Sequence, residues 1–275
     1  MQLGLSTYAY TWGVGVPGHV PQSPLTLSQL IDKAHGFGIR VVQIADNSPL
    51  HLLSESELDS LYRYASLMGI RIEVGTRGLN IDNISRYILI AKKLKSDILR
   101  VVIDGPGFEP GLIEVIALLK EIIPVLRENN IKLAIENHDR FTSHEFEEMV
   151  KKTDSEWIGI CLDSVNSLGA GEGIADVIKT LAPYTINLHL KEFIIKRVGH
   201  KMGFLVEGLP AGKGMLNIPE LVNTIGKTGK CKSAILEQWT PPSDSLEETI
   251  KKENDWAVDS IKFLKEKNLF TFLTN

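Results

Sequence analysis

The sequence predicts a single-domain (β/α)8 TIM barrel spanning residues 1–275. Three observations carry this. Eight short runs rich in Val, Ile and Leu read as apolar on both faces, the pattern of a parallel sheet covered by helices. Eight longer amphipathic patterns alternate strictly with them. The mean repeat is about 34 residues, which suits a βα unit of a barrel near 250 residues. A doubly wound open sheet would instead place a Gly-rich phosphate turn after an early strand. Here the first strand runs into TYAYTWGVGVPG, whose G-x-G opens no immediate helix, so the segment reads as a loop.

The first strand is expected at Gln2–Thr7 and is followed by a helix at Thr26–Phe37, with Thr26 or Ser28 as its cap. The second strand, Arg40–Ala45, leads to a helix at Ser54–Met68, where Ser54 and Glu57 fit a capping box and Gly69 a stop. Strand Arg71–Gly75 precedes helix Asp82–Leu94. Strand Ile98–Asp104 precedes helix Gly111–Asn129, in which Pro124 is expected to produce a kink or a break. Strand Lys132–Glu136 pairs with helix Ser143–Lys151, and strand Ile158–Asp163 with helix Ile174–Ala182. After strand Asn187–Lys191 comes Phe193–Gly214, a Gly-rich stretch expected to be an irregular loop on the active face. Helix Ile218–Thr228, strand Ser233–Gln238 and helix Leu246–Lys267 complete the cylinder. The terminal FTFLTN suits either packing against a second subunit, giving a homo-oligomer, or closing the base of the barrel.

Composition narrows the function classes. The chain is 43% hydrophobic and 23% charged with a formal charge of −4, an ordinary globular balance. Slight acidity argues against a nucleic-acid partner, which calls for a basic face. No run approaches the roughly 18 uninterrupted apolar residues of a membrane span. The opening MQLGLSTYAYTW lacks the basic and apolar regions of a secretory signal. Cys161 and Cys231 both sit in apolar runs, as buried free thiols of a reducing cytoplasm would.

Four successive strand ends carry groups that ligate metals: Glu136 in LAIENHD, Asp163 in GICLDSVN, His189 in INLHLKE and Glu237 in AILEQW. Catalytic groups in a barrel project from the C-terminal strand ends, so inward residues from four adjacent strands converge. Converging carboxylates repel unless a cation neutralises them. Three carboxylates and one imidazole favour Mn²⁺ foremost, then Mg²⁺ or Co²⁺. If His189 points inward, period-2 alternation turns Lys191 inward too, to hold a substrate oxygen or form a rim salt bridge with Glu192 or Glu136. Trp239 shares the parity of Glu237 and is placed to wall the pocket. His138 and Asn166 follow their ligands in loops as candidate substrate contacts, as do Tyr8 after the first strand and Arg77 after the third. Arg77 either pairs with Glu73 or meets an anionic group.

These residues resemble the sugar phosphate isomerase/epimerase superfamily, the xylose isomerase-like TIM barrels. The resemblance is carried by LGLSTYAY at the start, VGTRG at 74–78, AIENHDRFTS at 134–143, CLDSVNSL at 161–168, NLHLKE at 187–192, GLPAGKG at 208–214 and ILEQW at 235–239. It implies that Glu136, Asp163, His189 and Glu237 hold a divalent metal. It also implies that Glu136 and Glu237 double as the acid/base pair and that Arg197 contacts substrate. Two positions depart from the common pattern: Asn166 stands where many members carry His, and Glu192 where many carry Asp. The implied activity is epimerisation or isomerisation of a small carbohydrate, a keto-sugar, by proton transfer through a metal-stabilised enediolate. A lyase or dehydratase acting on a keto-sugar, inosose or dehydroshikimate is the alternative on the same site. The absence of a Gly-rich cradle favours an unphosphorylated substrate.

Overall fold

The sequence periodicity resolves into a closed barrel in a computed structural model, which describes residues 1–272. The barrel strands are β1 (Gln2–Ser6), β2 (Val41–Ile44), β3 (Arg71–Arg77), β4 (Ile98–Val102), β5 (Lys132–Glu136), β6 (Ile158–Asp163), β7 (Thr185–Leu190) and β10 (Ser233–Leu236). They close in the order β1-β10-β7-β6-β5-β4-β3-β2, and every neighbouring pair is parallel. The helices around them are α2 (Leu27–Gly36), α3 (Glu55–Leu67), α4 (Ile81–Lys93), α5 (Leu112–Asn129), α6 (Ser143–Lys151), α7 (Ile174–Leu181), α8 (Ile218–Gly226) and α9 (Leu246–Glu266). A four-residue helix α1 (Thr11–Val14) follows β1.

Each helix turns an apolar stripe onto the sheet. In α4 the buried Ile84, Tyr87, Ile88 and Ala91 recur at three- and four-residue spacing. Helix starts follow local chemistry. Thr26 with Gln29, and Ser54 with Glu57, form reciprocal capping boxes. Gly69 ends α3 at φ +66°, the left-handed turn that glycine adopts without a Cβ clash. Pro124 neither splits nor ends α5, which runs unbroken from Leu112 to Asn129. It lies on the exposed side, as does Lys120, whose carbonyl loses its intrahelical donor and faces water instead.

Two sequence expectations change. The stretch Phe193–Gly214 is not irregular throughout: β8 (Glu192–Arg197) and β9 (Phe204–Leu209) pair antiparallel as a hairpin beside the barrel mouth. The glycines that suggested a loop fall at its tip and base. The strands are also not apolar on both faces. Gln43 of β2 hydrogen-bonds Asn187 of β7, two strands that are not neighbours, so both side chains point into the barrel. Buried Gln43, Glu73, Arg100, Asn187 and His189 make much of the interior polar, beside a small apolar cluster of Ile98, Ala134 and Cys161. Phe270 is buried and Phe272 packs against the core, while the rest of FTFLTN, residues 273–275, lies outside the described residues. Both cysteines are free and buried.

Candidate active site

Strand register aligns the rim. Glu136 pairs with Cys161, Asp163 with His189, and His189 with Ile235, two residues before Glu237. The four side chains meet at the C-terminal end of the barrel, each at most 1% exposed. His189 Nδ1 lies 3.2 Å from Glu136 Oε2, 3.4 Å from Glu237 Oε1 and 3.8 Å from Asp163 Oδ2. Asp163 Oδ2, His189 Nδ1 and Glu237 Oε2 are buried without a well-aligned hydrogen bond. Ligand atoms of Asp163, His189 and Glu237 all lie within 4.8 Å of one another.

This donor set fits a divalent cation, and a side-chain cation already approaches the same carboxylates. Lys191 Nζ lies 2.7 Å from Asp163 Oδ2 and 3.0 Å from Glu237 Oε2. At these ion-pair distances the ammonium balances the charge of both carboxylates. Hard oxygen donors with one imidazole suit Mn²⁺, Mg²⁺ or a similar ion better than a thiolate-type site would.

Arg100 on β4 is the second internal cation. Its Nε lies 2.5 Å from Glu136 Oε2 and its Nη1 2.6 Å from Asp46 Oδ1. Asp46 also accepts from Arg77 Nε and from the Tyr8 hydroxyl, each at 3.1 Å. Asn166 Nδ2 donates to Glu136 Oε1 at 2.9 Å, and Ser6 Oγ to Glu237 Oε1 at 2.9 Å. Asp163 Oδ1 accepts the backbone N–H groups of Val165 and Asn166, which orients its other oxygen into the cluster.

Charge compensation sets the protonation states. Burial works to raise the Glu136 pKa, but Arg100, with His189 and Lys191, holds it below the ordinary carboxylate value. Glu237 is likewise penalised by burial and is brought well below its usual range by His189 and Lys191. Burial opposes the charged Lys191, yet Asp163 and Glu237 raise its pKa, so the ammonium persists. The same balance raises His189, with Glu237 and Glu136 overcoming burial.

Above the cluster lies an open cavity of about 770 Å³. Tyr8, Arg77, His138, Asn166, Lys191 and Trp239 all line it. Lys191 Nζ sits 5.5 Å from the centroid of the Trp239 ring. Arg77 pairs with Asp46 rather than Glu73, and Lys191 with Asp163 and Glu237 rather than Glu192 or Glu136. Glu192 turns away to accept the N–H groups of Phe193, Gly212 and Leu216. Arg197 is not brought to the cavity: it lies exposed on the hairpin, stacked 4.4 Å over Phe204 and bonded to the Lys201 carbonyl. The hairpin carries it outward, while Val206 and Gly208 wall the cavity. Gly208 passes so close to Trp239 that a Cβ there would lie 2.1 Å from the Trp239 carbonyl oxygen.

Sequence reasoning missed Arg100, Asp46, Gln43 and Ser6. Arg100 and Gln43 do leave a signal. A charged or amide residue in the middle of a helix-covered strand, as in ILRVV or VVQI, has no exposed face to occupy and must point into the barrel.

Comparison with known proteins agrees with this architecture. The 3-oxo-isoapionate decarboxylase of Pectobacterium atrosepticum is 34% identical over 268 residues, covering 98% of this chain and 96% of that protein. D-psicose 3-epimerase from Clostridium cellulolyticum H10, solved with D-tagatose, superposes with a TM-score of 0.73 at 16% identity, covering 98% of this chain and 100% of that one. A xylose isomerase-like TIM barrel protein from Mycobacterium smegmatis, solved with magnesium, gives 0.69 at 16% identity, covering 96% and 97%. The family model described as xylose isomerase-like TIM barrel matches residues 31–267. The chain therefore belongs to the xylose isomerase-like TIM barrel family.

Proposed function

We propose that this protein is a divalent-metal-dependent decarboxylase of a 3-oxo sugar acid, with Glu136, Asp163, His189 and Glu237 holding the cation, Mn²⁺ foremost. A cation bound there supplies a Lewis acid for the substrate carbonyl. In the reaction the bond between the carboxylate carbon and C2 breaks, its electron pair moves toward the C3 carbonyl, CO₂ leaves, and C2 gains one proton.

The chain's own residues support each requirement. The ammonium of Lys191 meets the negative charge that grows on the carbonyl oxygen. Trp12, Leu168 and Val206 give the cavity an apolar wall. A carboxylate set against such a wall is poorly solvated, whereas neutral CO₂ is not. The Lys191 ammonium, whose Nζ lies 3.0 Å from Glu237 Oε2, carries the proton that is delivered to C2, and Glu237 orients it. Arg77, His138 and Asn166 bind hydroxyl groups from the cavity rim.

The observation that carries this reading over epimerisation is the clamp on Glu136. Its two oxygens accept from Arg100 and from Asn166. Epimerisation needs two proton-transfer groups, one on each face of the substrate, and Glu136 is the expected partner of Glu237. A doubly held carboxylate that also ligates a cation has little basicity left for C–H abstraction, and Glu237, held by Ser6 Oγ and the Lys191 ammonium, is limited in the same way. Decarboxylation needs one proton delivery and no abstraction. The 34% identity with 3-oxo-isoapionate decarboxylase points the same way.

The test is to load the purified protein with Mn²⁺ and supply 3-oxo-isoapionate and D-psicose separately in D₂O. The expected result is CO₂ release from the acid with one deuterium at C2 of the product. Epimerisation of the ketose with no CO₂ from the acid would overturn the assignment.

A further inference from the structure

We propose that Gln43 is a positioning residue that fixes which nitrogen of His189 faces the ligand cluster, and that Glu73 sets the orientation of Gln43. The inference rests on the cation-site reading above and adds to it a fixed histidine tautomer imposed from below.

The argument is one of donors and acceptors. Glu73, on β3, is 1% exposed, and its carboxylate can only accept. Its Oε1 accepts from Ser233 Oγ at 2.6 Å and Arg71 Nη1 at 2.9 Å. Its Oε2 accepts from Asn187 Nδ2 at 3.1 Å and Gln43 Nε2 at 3.2 Å. With its Nδ2 donating to Glu73 and to Ser233, Asn187 presents its oxygen to Gln43, which donates to it at 3.0 Å. Both amide hydrogens of Gln43 are therefore committed. Turning the amide over would set its oxygen against the Glu73 carboxylate, so Gln43 Oε1 is forced toward His189.

That oxygen lies 2.7 Å from His189 Nε2. An oxygen with only lone pairs to offer requires a proton on Nε2. The remaining nitrogen, Nδ1, is the one that faces Glu136, Asp163 and Glu237. A histidine can ligate only through an unprotonated nitrogen, and a hydrogen bond at the other nitrogen fixes the tautomer and the ring orientation. Gln43, Glu73, Asn187 and His189 are all at most 1% exposed, so no solvent competes for these bonds.

The experiment uses metal-depleted full-length protein titrated with Mn²⁺ by calorimetry. Gln43→Leu is expected to bind Mn²⁺ about 10–100-fold more weakly than wild type. Glu73→Gln, which keeps the shape but lets the Gln43 amide turn, is expected to weaken binding in the same direction. It also keeps the proposal testable if Gln43→Leu fails to fold. Nitrogen-15 spectra of histidine-labelled protein loaded with diamagnetic Zn²⁺ supply a readout that a purely structural role would not move. Wild-type His189 is expected to carry a slowly exchanging proton on Nε2, and Gln43→Leu to exchange it rapidly. Equal Mn²⁺ affinity in a folded Gln43→Leu variant, or a His189 proton on Nδ1 in the Zn²⁺-loaded wild type, overturns the proposal. A wild type that binds no divalent cation overturns the functional reading and this proposal with it, and the wild-type titration alone separates that outcome from the first.

Discussion

Replacing Arg100 by Met keeps much of the side chain's length and removes one buried positive charge. Arg100 is 2% exposed and its guanidinium faces two carboxylates, Glu136 and Asp46. Deleting one partner of a buried ion pair costs about 3–5 kcal/mol, because the remaining charge is left uncompensated. For a domain of this size each kcal/mol moves Tm by about 2–4 °C, so the variant should melt roughly 6–20 °C lower in the presence of a chelator. The loss should depend on pH. Without Arg100, burial raises the Glu136 pKa above its unfolded value, and stability then falls as pH rises through the new folded value. The gap to wild type should therefore be wider at pH 8 than at pH 5. Added Mn²⁺ should narrow it by supplying a replacement charge. The assay is calorimetric unfolding at both pH values, with chelator and with Mn²⁺. A folded variant whose Tm at pH 8 lies within 3 °C of wild type would refute the view that Arg100 is the counter-charge of the site.

Glu237→Gln should reduce CO₂ release by about 10²–10⁴-fold with the circular dichroism spectrum unchanged, because it removes a cation ligand and the carboxylate that orients the Lys191 proton donor, not a packing contact. Glu253 is buried behind helix α1, where its oxygens accept the N–H groups of Trp12 and Gly13, and burial pushes its pKa up to about 7. A group raised in the folded state contributes stability that is full below its unfolded pKa and lost as pH climbs through the folded one. Unfolding by urea should accordingly show wild type losing up to about 3 kcal/mol between pH 4.5 and 7 through this residue, and Glu253→Gln should flatten that slope. Gly208→Ala should destabilise the hairpin's seat by about 1–3 kcal/mol, seen as a lowered Tm, because its Cβ would meet the Trp239 carbonyl oxygen.

The barrel was legible because its signals are local. Eight apolar runs, their spacing and the Ser54–Glu57 box each state part of the fold in a few neighbouring residues, and the observed elements fall within a few residues of the expected bounds. Glu136, Asp163, His189 and Glu237 were legible because strand ends in a barrel share one rim. What was not legible depends on contacts distant in sequence. Arg100 and Glu136 are 36 positions apart, and Gln43 and His189 are separated by 146. Reading the strands as apolar on both faces hid the mid-strand Gln43 and Arg100, whose burial is acceptable only because each finds polar partners inside the cylinder. The hairpin was concealed by its own glycines, since Gly199 and Gly203 in its turn and Gly208 within β9 together read as loop signals. The family resemblance implied that Arg197 contacts substrate, but the ribbon that begins after the seventh barrel strand leads it into solvent.

The β8–β9 hairpin divides labour within the molecule. Glu136, Asp163, His189 and Glu237 stand on or just past staves that cannot shift without disturbing the whole cylinder, whereas one flank of the chamber is lent by the ribbon's Val206 and Gly208. Exchanging or trimming that ribbon would reshape which molecules are admitted while leaving the chemistry in place. A lineage or an engineer seeking a new specificity from this scaffold would find the variable part already separated from the invariant one.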